Sequence, residues 1–147
     1  MAPSRAAHHA LGCQMNRNHR LTIGLPVYNG EDFLTESLES LLGQTYDDFE
    51  LIISDNASTD RTAEICKQYA KVDSRIRYIR QDYNIGLVRN EQFVMRQAAG
   101  ELFKLAAHDD LYARDLLKKC IRALDANPKE SRRFPINALL STWLVLT

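Results

Sequence analysis

Two adjacent carboxylates, Asp109 and Asp110, follow an apolar run that ends at Ala106. Paired hard-oxygen donors of this kind suit Mg²⁺ or Mn²⁺, ions that keep waters and share their coordination sphere with substrate phosphates. The pair also has a purely structural use. Asp110 precedes a predicted helix, and a helix N-terminus favours negative charge. Asp55 closes a second apolar run, where a carboxylate either accepts from a nucleobase N–H or ribose hydroxyl, or caps the Ser58-Thr59-Asp60 turn behind it. Tyr28 follows a third run and offers a ring that stacks on a base or packs into the core. Arg89 lies early in a predicted helix, between Val88 and Asn90, placed either to meet a diphosphate or to point into solvent.

These residues need elements to position them. Leu21 to Tyr28 is a short, β-prone apolar run that reads as a strand. From Glu31 to Leu42, leucines 34, 38, 41 and 42 recur at helical spacing, and Gly43 is a stop signal. Phe49 to Ser54 is a second strand. N-cap residue types at 58–60 then open a helix whose expected apolar face is Ile65, Tyr69 and Val72. Arg75 to Arg80 alternates like a third strand, and a turn at Asn84-Ile85-Gly86 leads to a helix buried through Leu87, Phe93, Val94 and Ala98. Glu101 to Ala106 is a fourth strand. A last helix buries Leu116, Leu117, Cys120, Ile121 and Leu124 and stops at Asn127-Pro128.

Such alternation predicts an α/β fold, a mostly parallel sheet with helices on both faces. Ligands of these sheets bind beyond the carboxyl ends of the strands. Tyr28, Asn29 and Glu31 follow the first strand, Asp55 and Asn56 the second, and His108, Asp109 and Asp110 the fourth. Polar and acidic groups from separate connections therefore converge on one rim.

Composition narrows the chemistry. The 147 residues suffice for one domain, and 19 basic against 19 acidic side chains leave no global field to attract nucleic acid or an anionic membrane. Cys13, Cys66 and Cys120 are odd in number and widely spaced, which fits reduced thiols and a cytoplasmic location. No apolar stretch reaches the roughly 18 residues of a membrane span. The Gly-Leu-Pro-Val-Tyr-Asn-Gly stretch lacks the GxGxxG of a dinucleotide site, and neither a P-loop nor a Gly-x-Ser-x-Gly elbow is present.

The motifs combine into a family resemblance. Leu-Thr-Ile-Gly-Leu-Pro-Val-Tyr-Asn (21–29) precedes a long match at 37–60 that ends in Ser-Asp-Asn-Ala-Ser-Thr-Asp. Asn-Ile-Gly (84–86), Arg89-Asn90, Ala-Ala-Gly-Glu (98–101) and His-Asp-Asp (108–110) follow in order. Over residues 21–128 the chain resembles the nucleotide-sugar-binding half of a family 2 glycosyltransferase, a Rossmann-like part of the GT-A fold.

The resemblance implies inverting transfer of a sugar from a nucleotide diphosphate, of UDP or dTDP type, to a hydroxyl of a carbohydrate or lipid-linked acceptor, assisted by Mn²⁺ or Mg²⁺. It implies that Tyr28, in the element from Pro26 to Asn29, packs on the donor base and that Asp55 holds the base edge. Glu31 belongs with the same donor-binding set. Arg89 lies near the nucleotide, Asp109 is in the acidic motif, and Asp110 is the direct metal ligand. Many members carry another Asp where this chain has Ala107, and His108 is expected to face the rim without ligating.

Inverting transfer also needs a carboxylate to take the proton from the attacking hydroxyl. In the family that base lies in the second half of the domain, and no candidate for it is found in this sequence. Three readings follow: a glycosyltransferase whose sequence is cut short or shifted in frame, a non-catalytic module that binds a nucleotide sugar, or a fragment completed by a partner chain. Residues 1–20, free of Asp and Glu, read as a disordered leader in preference to a transit peptide. Residues 129–147 form an atypical tail, uncharged and apolar from Ile136, that either leaves a sheet edge open or docks over it as one strand or helix.

Overall fold

The computed structural model describes residues 19–126 and 143–145. The expected leader as far as residue 18, and the tail apart from residues 143–145, lie outside them. Strands β1 (Leu21–Val27), β2 (Phe49–Asp55), β3 (Ile76–Arg80) and β4 (Leu102–Leu105) alternate with helices α1 (Leu34–Leu42), α2 (Thr62–Val72), α3 (Leu87–Gln97) and α4 (Leu116–Ala126). The short β5 (Trp143–Val145) completes a sheet of order β3-β2-β1-β4-β5. β1 to β4 are parallel, and β5 runs antiparallel to β4 through the pairs Leu102–Val145, Phe103–Leu144 and Lys104–Trp143. The tail thus contributes one strand to the β4 edge.

Buried on both faces, the central strands read as continuous apolar runs, as parallel strands do. Ile23 and Leu25 of β1, with Leu51 and Ile53 of β2, form one core with Leu34, Leu38 and Leu41 of α1, Cys66 of α2, and Leu117 and Ile121 of α4. The opposite face holds a smaller core of Ile52, Phe103 and Val94 of α3. Each fully buried Leu, Ile or Phe contributes roughly 1.5–3 kcal/mol of transfer free energy. Gly24 lets α3 approach β1: a Cβ there would lie 2.7 Å from Phe103 Cζ and 2.8 Å from Val94 Cγ2.

Two helix faces differ from the periodicity reading. α2 buries Thr62 and Cys66 fully, while Ile65 and Tyr69 are only partly covered and Val72 is 83% exposed. The helix is turned so that the Thr62 hydroxyl reaches the Gly30 amide at 2.8 Å, and a polar bond sets its rotation. α3 leaves Leu87 68% exposed and buries Asn90 in its place.

Because β1 is flanked by β2 on one side and β4 on the other, strand order reverses beside it. The crevice at such a switch point is where ligands of open α/β sheets bind.

Candidate donor and metal site

The rim beyond β1 and β2 is built from loops that brace each other. Asn29, at φ 49°, accepts the Thr59 amide through Oδ1 at 2.8 Å, and its own amide donates to Ser58 Oγ. The Glu31 amide donates to Asp60 Oδ2 at 3.0 Å, while Glu31 Oε2 accepts the Arg61 amide at 2.9 Å. These reciprocal bonds clamp the β1–α1 connection onto the β2–α2 connection, so Asn29 and Glu31 shape the rim whatever else they touch. Tyr28 stands free of this brace, 44% exposed.

Asp55 is fully buried at the end of β2. Its Oδ1 accepts the Ser58 amide at 2.8 Å, and its Oδ2 accepts the Tyr78 hydroxyl at 2.9 Å, with Arg80 Nη1 3.5 Å away. Burial raises the Tyr78 pKa, and the bond to Asp55 adds to that rise, so the hydroxyl remains a donor. The turn-capping role therefore holds, since the Ser58 amide is satisfied by Asp55. Tyr78 and Arg80 were not apparent as site residues, because their link to Asp55 is made across strands.

Asn56, also buried, donates to Asn84 Oδ1 at 2.9 Å and accepts the Ile85 amide at 2.8 Å. This fixes the turn that feeds α3. Asn90 then locks the helix to β2 by donating to the Ser54 carbonyl and accepting from the Ser54 hydroxyl. Arg89, its neighbour, is exposed, and its side chain makes no hydrogen bond or ion pair among the described residues.

On the other side of β1, a pocket of about 280 Å³ occupies the switch point between β1 and β4. It is lined by Pro26, by Leu87 and Glu91 of α3, and by Lys104 through Asp110 with Tyr112. Asp109 and Asp110 are exposed at it, and neither side chain forms a hydrogen bond or ion pair among the described residues. α4 begins only at Leu116, so Asp110 does not cap it.

The loop carrying these carboxylates is held from below. The Tyr112 hydroxyl accepts the Ala107 amide at 2.9 Å, Ser37 Oγ donates to the Ala107 carbonyl at 3.0 Å, and the Tyr112 amide donates to Ser40 Oγ at 3.1 Å. Burial pushes the Tyr112 pKa up to about 12, and the charges of Asp110 and Asp109 contribute to the rise. Lys104 is buried with its ammonium 5.3 Å from the Tyr112 ring centre, and burial lowers its pKa against the opposing pull of Cys120 and Asp110. His108 packs its ring on Gly30, where a Cβ would lie 2.7 Å from His108 Cδ2. Ser37, Tyr112 and Glu91 join the site without any spacing signal in the sequence.

The donor set suits a hard cation. Among the described residues no three His, Cys, Asp or Glu side chains converge into a metal cage. Asp110, with Asp109 beside it, offers oxygen ligands at an open pocket, leaving further positions to water and phosphate. That division is the usual one for Mg²⁺ at nucleotide sites.

Glycosyl transferase family 2 matches residues 22–131. The putative glycosyltransferase EpsE of Bacillus subtilis is 36% identical over 112 residues, covering 76% of this chain and 40% of that protein. Glycosyltransferase GlyA of Streptococcus pneumoniae is 33% identical over 99 residues, covering 67% of this chain and 14% of that protein. Between these two relatives the chain spans 14% to 40% of their length. Among solved structures, S. aureus TarS 1-349 in complex with UDP superposes with a TM-score of 0.69 at 27% identity, covering 74% of this chain and 33% of that one. Mannosyltransferase PcManGT from Pyrobaculum calidifontis, in complex with GDP-Man and Mn²⁺, does so with a TM-score of 0.67 at 25% identity, again covering 74% of this chain and 33% of that one.

Proposed function

The chain belongs to glycosyl transferase family 2 and carries the nucleotide-sugar-binding half of the GT-A fold; from that premise we propose that it holds a nucleotide-diphosphate sugar, with Mn²⁺ or Mg²⁺, for inverting transfer to a hydroxyl acceptor. The observation that carries this reading is the exposed, unpaired Asp109–Asp110 pair at the switch-point pocket. Structures similar to this chain bind UDP, UDP-GlcNAc, and GDP-Man with Mn²⁺, which supports the donor class.

Within this reading Asp110 is the residue that would hold the cation and Asp109 supports it. The cation, when bound, neutralises charge that builds on the departing diphosphate. Tyr28 packs on the base, and Asp55 anchors the base end of the site. Arg89, unpaired on α3, meets the diphosphate. Pro26 forms the pocket wall, while Asn29 and Glu31 keep the rim in shape. The acceptor is a hydroxyl of a carbohydrate or lipid-linked molecule, and a cytoplasmic location with reduced Cys66 and Cys120 completes the reading. No described residue is assigned as general base, so donor binding is the property the described residues support.

Titration calorimetry with UDP, with Mn²⁺ and then with excess chelator, tests the metal bridge. Binding should weaken tenfold or more in chelator, about 1.4 kcal/mol or above. Equal affinity in both conditions would remove the cation from the reading.

A further inference from the structure

The pocket between β1 and β4 has a carboxylate that the roles assigned so far leave unused. Glu91 lines it from α3, one helical turn after Leu87, which lines it too. The Glu91 side chain is half-buried and makes no hydrogen bond or ion pair among the described residues. Its direction is set by its neighbour. Asn90 is tied to Ser54 of β2 by two bonds, at 2.9 and 2.6 Å, so the rotation of α3 is fixed at that turn. Glu91 follows roughly 100° further around the helix and borders the pocket.

Glu91 does not extend the cation site. It lines the same pocket as Asp109 and Asp110, yet no three acidic side chains among the described residues come close enough to hold a metal ion together. The space they border is about 280 Å³, near the lower end of the roughly 300–1,000 Å³ of small-molecule sites. That is room for a sugar ring rather than for a whole nucleotide sugar. With the base at Tyr28 and the diphosphate at Asp110, the ring joined to the diphosphate is the part that enters here. A sugar ring offers hydroxyl donors on its edge and an apolar C–H face. The pocket matches both, with a carboxylate that only accepts and with Leu87, 68% exposed, on the same helix face. A hydroxyl bonded to a carboxylate is a charge-assisted pair, whereas a second anion beside Glu91 would be repelled.

We propose that Glu91 is a specificity-determining residue that reads the donor sugar, its carboxylate accepting from hydroxyls on one edge of the ring while Leu87 covers an apolar face. This rests on the reading of the pocket as a nucleotide-sugar site. A sugar lacking the matching hydroxyl leaves the carboxylate desolvated and unpaired, and sites built to bond a hydroxyl discriminate strongly against the analogue without it.

The test is calorimetry on the full chain with saturating Mn²⁺, using UDP and the tightest of UDP-glucose, UDP-galactose and UDP-GlcNAc. In Glu91→Ala the UDP-sugar should lose tenfold or more in affinity. UDP should keep its affinity or gain up to threefold, because a negative charge has left an acidic pocket. Glu91→Gln, which keeps the size and one acceptor, guards against a folding defect and should show the same split at smaller amplitude. At least one monodeoxy analogue of the sugar should bind the unaltered chain tenfold more weakly than its parent, and bind Glu91→Ala as well as its parent does. Equal losses for UDP and the UDP-sugar would move Glu91 to the ribose, diphosphate or metal and overturn the assignment. So would an unchanged UDP-sugar affinity in both variants, or binding of UDP with none of the three sugars. These outcomes leave the donor-site reading standing, whereas failure of UDP itself to bind overturns both.

Discussion

Asp110 is the side chain on which the capping and metal roles diverge, and the structure separates them. A cap must lie next to the helix it caps, whereas α4 starts at Leu116 and Asp115 lies nearer its end. Asp110→Asn removes the negative charge yet keeps a polar side chain of the same size, so the fold should hardly register it. Metal-dependent UDP affinity should drop tenfold or more, with a melting temperature within a degree or two of the parent. A large loss of stability with binding intact would return Asp110 to a structural role. The acidic pair could be picked out from the sequence because residue type and position after a strand are local properties. Arg80 and Tyr112 could not. Arg80 bonds a carbonyl 22 residues away, and Ala107, whose amide Tyr112 holds, takes a further bond from Ser37, 70 residues distant. Contacts of that kind arise from sheet order and leave no spacing in the chain.

Element type and sequence were legible throughout β1 to α4, since apolar runs and helical periodicity report directly on burial. Their rotations were less so. A periodic apolar template assumes that every inward position is apolar, and both α2 and α3 break that assumption with buried polar groups, Thr62 and Asn90. Asn90 shows why such groups are there. Its amide joins the Ser54 carbonyl and hydroxyl, 2.9 and 2.6 Å away, and so fixes the face that α3 turns to β2. Asn90→Ala removes the acceptor of the Ser54 hydroxyl and a donor to the Ser54 carbonyl, while Gln81 Nε2 still donates to Ser54 Oγ at 3.0 Å; a buried group left unsatisfied costs about 1–3 kcal/mol. Urea unfolding should show a lower midpoint with an unchanged slope. Arg89 rides on the same helix turn, so UDP affinity should fall as well. A variant with the parental midpoint would mean that the Ser54–Asn90 bonds are exchanged for water without cost.

At the scale of the whole molecule, strand order decides which surfaces the sheet leaves open. β3 forms one edge, and its exposed Arg77 and Arg80 discourage another strand from pairing there. The other side depends on the tail, because β5 takes up the pairing of Leu102, Phe103 and Lys104 on β4. β4 is short, apolar apart from Lys104, and central to the pocket, so its outer edge is the one most costly to leave unpaired. A version of the chain ending at Pro128 lacks β5 and presents that edge as a template. It should self-associate in sedimentation velocity at concentrations where the full chain does not, and the difference should grow with concentration. Its affinity for UDP with Mn²⁺ should also fall, because the loop bearing Asp109 and Asp110 leaves β4 directly and inherits any fraying of that strand. Should the shortened chain remain monomeric and bind UDP as tightly as the full one, the β4–β5 pairing contributes neither to the edge nor to the site.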